Sequence, residues 1–128
     1  MTALVRCSAL LLVCLLAIGC GAKKVTVKGK VTRKGEPLKV SKTGYVSVTL
    51  IPADKGEKYT TIPIRAESDG SFTAKDVPVG EYKIAIEQFD PNPQTDALAG
   101  RFAPAATQIK RKIDGKSEIN IDLDKPEG

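Results

Sequence analysis

The 128-residue sequence predicts an all-β domain built as a sandwich, with a small closed barrel as the alternative. Three observations lead there. Six or seven short segments alternate apolar and polar residues with the two-residue period of a half-buried strand. Glycine, proline, asparagine and aspartate punctuate the chain every eight to twelve positions. No segment beyond the first twenty residues shows a convincing helical period.

Residues 1–19 read as a helical signal peptide, with Arg6 as the positive charge and an apolar run over residues 9–18. As a helix that run spans only about 15 Å, half of the ~30 Å hydrocarbon core of a bilayer. It ends in Leu16-Ala17-Ile18-Gly19-Cys20, which resembles a bacterial lipobox. The resemblance implies cleavage before Cys20 and lipid attachment to it. Ala17 departs from the pattern, since leucine is commoner there. Residues 20–24 then form a lipidated N-terminus and short tether, residues 25–124 the folded domain and residues 125–128 a frayed tail.

The first strand is Val25-Thr26-Val27-Lys28-Gly29-Lys30-Val31, with its valines on one face, and residues 33–37 break it. The β-branched run Tyr45-Val46-Ser47-Val48-Thr49-Leu50-Ile51 follows, stopped by Pro52. Residues 54–57 form a turn. A third strand over residues 59–67 places Ile62, Ile64 and Ala66 together, and Pro63, which cannot donate to a ladder, marks it as an edge. Ser68-Asp69-Gly70 is a tight turn before Ser71-Phe72-Thr73-Ala74, and Val77-Pro78-Val79-Gly80 is a corner. In residues 81–87 the inward positions are Tyr82, Ile84 and Ile86. A long connection occupies residues 88–107, and such length marks a mobile or functional segment. The last two strands are expected to form a hairpin around Asp114-Gly115-Lys116, with Ile109 opposite Ile121 and Lys112 across from Glu118.

Two of these stretches resemble a known family. Residues 27–38, with Gly29-Lys30-Val31 and then Gly35-Glu36-Pro37-Leu38, look like the opening of carboxypeptidase-regulatory-like, or transthyretin-like, domains. Asp69-Gly70-Ser71-Phe72 followed by Val77-Pro78-Val79-Gly80-Glu81-Tyr82 is similar to that family's D-G-x-F and V-P-x-G-x-Y signature. The resemblance implies a seven-stranded Greek-key β-sandwich, and especially the small bacterial lipoproteins that carry one such domain.

Removing residues 1–19 leaves about 109 residues, enough for one core. The three cysteines, Cys7, Cys14 and Cys20, all lie in or at the end of the signal, so the domain has neither a disulfide nor a thiolate metal site. The formal charge of +5 falls by one with Arg6, and acidic and basic residues are interspersed. No basic stripe is interleaved with aromatics, which argues against nucleic acid as a partner. The sequence has no histidine, which removes the commonest general base and the histidine-dependent hydrolases of the transthyretin-like family.

Other chemistries have weaker residue support. A lysine–asparagine crosslink of the collagen-adhesin kind would use Lys28 or Lys30 with Asn120, and all three fall on solvent-facing positions. Asp114, Asp122 and Asp124 lack the glycine-turned oxygen cage of a calcium loop. For a sugar, the candidate rings are Tyr45, Tyr59, Phe89 and Phe102, with no tryptophan platform. The expected protein is thus a non-catalytic, cofactor-free envelope module. It is held by Cys20 at a membrane, on the periplasmic side, at the outer membrane or the cell surface. Its partner is an envelope protein or, alternatively, a glycan. The long loop, with Phe89, Arg101 and Phe102, is the candidate partner surface.

Overall fold

A computed structural model describes residues 23–53, 60–90 and 95–127. Cys20, the signal peptide and Tyr59 lie outside the described residues. Within them the chain is all-β, with eight strands: β1 (Lys24–Arg33), β2 (Glu36–Pro37), β3 (Tyr45–Pro52), β4 (Ile62–Arg65), β5 (Ser71–Pro78), β6 (Gly80–Phe89), β7 (Lys110–Ile113) and β8 (Ile119–Asp122). The two-residue β2 is the strand that alternation alone could not reveal.

The strands form two sheets. In the first, β1 is central: β5 and β2 pair antiparallel with successive parts of one edge, and β8 runs parallel along the other. The second has the order β4-β3-β6-β7, all antiparallel. Each sheet turns its apolar positions toward one shared core that includes Val27, Val31 and Phe72 from the first and Val48, Leu50, Ile84 and Ile86 from the second. Alternation explains this division, because successive side chains on a strand point to opposite faces. Lys28, Lys30 and Asn120 are exposed on the outer face of the first sheet. Ile62, Ile64 and Ala66 pack against the core from the edge strand β4, while Pro63 is exposed.

Phe72 and Tyr82 are both buried, but in different sheets. The Val77–Gly80 corner is where the chain crosses between them, and the Tyr82 hydroxyl fastens it by donating to the Pro78 carbonyl at 2.7 Å. At Gly29 the absence of a side chain is required: a Cβ there would overlap the Ile119 carbonyl oxygen of β8 and the Phe72 ring. On β5, Lys75 and Asp76 together face the single residue Thr26, a bulge in which Asp76 takes φ +55°.

The expected hairpin around Asp114-Gly115-Lys116 does not form. β7 pairs with β6 in the second sheet and β8 with β1 in the first. The turn is real, with the Lys116 amide donating to Asp114 Oδ1 at 2.9 Å and Gly115 at φ +78°. It carries the chain across the core instead of folding it back, and Gly115 lies against the Val25 side chain. Both strands bury isoleucines, so the core is served equally by either arrangement; the Gly29↔Ile119 register with β1 decides it.

Candidate functional site

The domain has two ends. Near the N-terminus stand the Lys24↔Pro78, Pro52↔Tyr82 and Gly80↔Ile113 pairs, together with the 114–117 turn. At the far end stand Thr32↔Asp122, Arg33↔Glu36, Tyr45↔Phe89 and Ser47↔Arg65. The candidate site is at the far end.

Two aromatic rings and a cation meet there. Tyr45 opens β3 and Phe89 closes β6, so their antiparallel register sets them side by side, ring centroids 5.2 Å apart and tilted by 38°. Both are half-buried. The Arg65 guanidinium sits over the Tyr45 ring, 4.5 Å from its centroid, within the range of a cation–π contact. Behind this group lies a cleft of about 290 Å³, bordered by Leu38, Val40, Tyr45, Arg65 and Glu67. Two positions further along the register, Arg65, Ser47 and Glu87 form a row across β4, β3 and β6. Burial, and then the charge of Asp96, pushes the Glu87 carboxyl above its ordinary value.

One wall of the cleft, residues 38–44, is irregular and is held by side chains from the end of β6. Gln88 is buried, and its Nε2 donates to the Lys39 carbonyl at 2.8 Å. Asp90 accepts the Ser41 amide at 2.8 Å and the Ser41 hydroxyl at 2.6 Å, and these bonds hold its carboxyl below the usual range. Gly44 leaves room for that carboxylate: a Cβ there would come within 2.8 Å of it.

In the long connection, residues 95–107 are tied closely to the sheet. Asp96 accepts the amides of Gln88 and Leu98 through Oδ1 and of Gly100 through Oδ2, each at 3.0 Å. The chain then follows β6, whose Ile84 and Ile86 amides donate to the carbonyls of Ile109 and Phe102. Leu98, Phe102, Thr107 and Ile109 are all buried, and the Thr107 hydroxyl donates to the Ile84 carbonyl at 2.6 Å. Phe102 is therefore a core residue and presents no ring to solvent. Arg101 is exposed above it, 5.2 Å from the ring centroid. Phe89 belongs with Tyr45. The structure thus keeps Arg101 with Phe102 and places Phe89 apart from them, beside Tyr45.

The chain matches no protein-family model and no curated protein. Among solved structures, it is similar to a DUF3823 family protein from Bacteroides ovatus. Identity is 21% and the TM-score 0.47, with 78% of this chain and 44% of that chain covered. The chain spans less than half the length of that protein.

The remaining sequence candidates resolve by their hydrogen bonds. Asp122 Oδ1 accepts the amides of Lys34 and Asp124, and Oδ2 that of Gly35, so its carboxylate fastens the β1–β2 turn. The Asp124 amide foremost, then those of Lys34 and Gly35, hold its carboxyl below the usual value. Asp114 closes its own turn with the Lys116 amide, which likewise lowers it. No group of three or more metal-ligating side chains occurs among the described residues. Arg65 was missed by the sequence reading: its signal was the β3–β4 register, which alone brings it to Tyr45.

Proposed function

We propose that this protein is a non-catalytic, lipid-anchored module of the bacterial cell envelope, a transthyretin-like Greek-key sandwich whose role is presentation. Lipid on Cys20 holds it on the periplasmic side, at the outer membrane or cell surface. Its far end meets an envelope partner. The observation that carries this reading is the placement of the chain's entry. β1 begins at Lys24, four residues after Cys20, and the Tyr45–Phe89–Arg65 cleft lies at the other end of the domain. An anchor at one end and an open aromatic cleft at the other suit a domain that faces outward from a surface. Two or more acyl chains on one cysteine hold firmly where one binds marginally.

Mass spectrometry of the mature chain tests the anchor: Cys20 is expected at the N-terminus, acylated. Cys20→Ser is expected to remove the protein from the membrane fraction, and unchanged partitioning overturns the reading. Recovery of one envelope protein by crosslinking from a membrane preparation, lost in Arg65→Ala, supports the far-end role.

The same cleft favours a second reading, a glycan- or small-ligand-binding accessory domain. Two rings with polar Arg65, Ser47 and Glu87 beside them offer a stacking surface and hydrogen-bonding groups. A glycan screen decides: saturable binding lost in Tyr45→Ala selects this reading, and no binding leaves the protein partner.

A further inference from the structure

We propose that the end of the domain nearest Cys20 is a docking face for an anionic phospholipid surface; this rests on the lipid-anchor reading. Lys23, Lys24, Lys75, Lys110, Lys112 and Lys116 are all exposed there. They come from four separate segments, brought together by the Lys24↔Pro78 and Glu81↔Lys112 registers and by the 114–117 turn. The described carboxylates at the same end are Asp76, Glu81, Asp114 and, just beyond the 114–117 turn, Glu118. Glu81 faces Lys112 across the β6–β7 ladder, and Asp114 is engaged by the Lys116 amide. Cations are therefore in clear excess. The far end has no such excess: Glu36, Glu67, Asp69, Asp90, Asp122 and Asp124 stand there with Arg33, Lys34, Lys39, Lys42, Arg65 and Lys125.

Chain length gives this asymmetry its meaning. Lys23 follows Cys20 by three positions, and three extended residue steps reach at most about 10 Å. The Debye length at physiological ionic strength is about 8 Å. A lipid on Cys20 thus holds this face within roughly one screening length of the headgroups, where lysines are attracted to negative phospholipid. A long linker would have placed the same charges out of range. The second consequence is orientation. Attraction at the near end holds the far cleft away from the bilayer.

The test uses the full chain, purified from membranes in detergent and reconstituted into vesicles. One set is phosphatidylcholine alone and the other contains phosphatidylglycerol. Lysine reactivity toward an amine-acylating reagent is read residue by residue by mass spectrometry. In phosphatidylglycerol vesicles the near-end lysines are expected to lose reactivity about fivefold relative to Lys34, Lys39 and Lys42, and to regain it at high salt. The contrast is expected to be absent in phosphatidylcholine. A variant with Lys110, Lys112 and Lys116 changed to glutamine is expected to lose the protection remaining at Lys23 and Lys24. Equal protection in both lipids, protection unaffected by salt, or equal reactivity at the two ends overturns the docking face while leaving the anchor intact. Failure of the chain to float with either vesicle overturns the anchor itself.

Discussion

The two ends of this domain are fastened by different physics. At the end where the chain enters, the connections are held by packing and by backbone carbonyls. Val77 is wholly buried, Val25 lies on Gly115, the Tyr82 hydroxyl donates to the Pro78 carbonyl, and the Ala53 and Val79 amides donate to the carbonyls of Glu81 and Lys23. At the far end, aspartates hold the loops. Asp69, Asp90, Asp96 and Asp122 each accept at least one backbone amide, and together they fix the turns at 34–35, 41, 69–71 and 96–100. Carboxylates hold irregular backbone well because they only accept, and backbone amides left over from the ladders only donate. They also make that end responsive to protons, whereas among the described residues the near end has one such carboxylate, Asp114.

The contrast can be broken first at Tyr82. Tyr82→Ala removes a buried aromatic and is expected to destabilise the domain by about 3–5 kcal/mol, while Tyr82→Phe, which keeps the ring, is expected to cost about 1 kcal/mol. Thermal melts of the two variants check this. Equal losses would mean that the hydroxyl, not packing, holds the corner. Next in size is Gly115→Ala, where positive φ and contact with Val25 both oppose a side chain. A loss of about 1–2 kcal/mol is expected from the backbone conformation.

Acid should then separate the ends. The carboxyls of Asp69, Asp90 and Asp122 are held below their ordinary value by the amides and hydroxyls they accept. A depressed folded-state pKa contributes stability that is fully present above the unfolded value. That stability is lost as pH falls through the folded one, which places the window below about pH 4. Amide protection factors at Lys34, Gly35, Ser41 and Ser71 are expected to drop in that window while those at Ala53 and Val79 hold; simultaneous loss at both ends would erase the distinction. Asp90→Asn at neutral pH should loosen residues 38–44 with little change in the global melting temperature.

The smallest effect has the opposite sign. Glu87 has a raised pKa, so its charged form is disfavoured by folding. Its protonated form is favoured below the unfolded pKa, and that advantage disappears as pH rises through the raised folded value. Glu87→Gln is therefore expected to raise Tm slightly at pH 7 and to lose this advantage in acid.

Much of the near end was legible in the sequence because it is made of local patterns. Alternation in Tyr82, Ile84 and Ile86 named the inward face, and Val77-Pro78-Val79-Gly80 announced the corner. Pro63 correctly placed β4 at an edge. What alternation does not encode is which sheet a strand joins. Ile113 and Ile119 are both buried, and the same turn residues serve a hairpin or a crossover. The far site was legible only in its parts. Tyr45 and Phe89 are 44 positions apart in sequence and meet through one register, and Arg65 arrives through another. The long connection misled for a different reason. Leu98, Phe102, Thr107 and Ile109 have no single period, yet each is buried because the segment follows the edge of β6.

The bulge on β5 has a consequence for crowding. β5 pairs with β1 along one side only, and an open strand edge is a template for pairing with another chain. Under the proposed lipid anchor, copies would share a plane and collide side by side far more often than molecules free in solution. Lys75 and Asp76 break the regular spacing of that edge and place two charges on it. A second β5 approaching in the same plane finds no continuous row of donors and acceptors to match. The irregularity thus works against edge-to-edge pairing between the β5 strands of two copies.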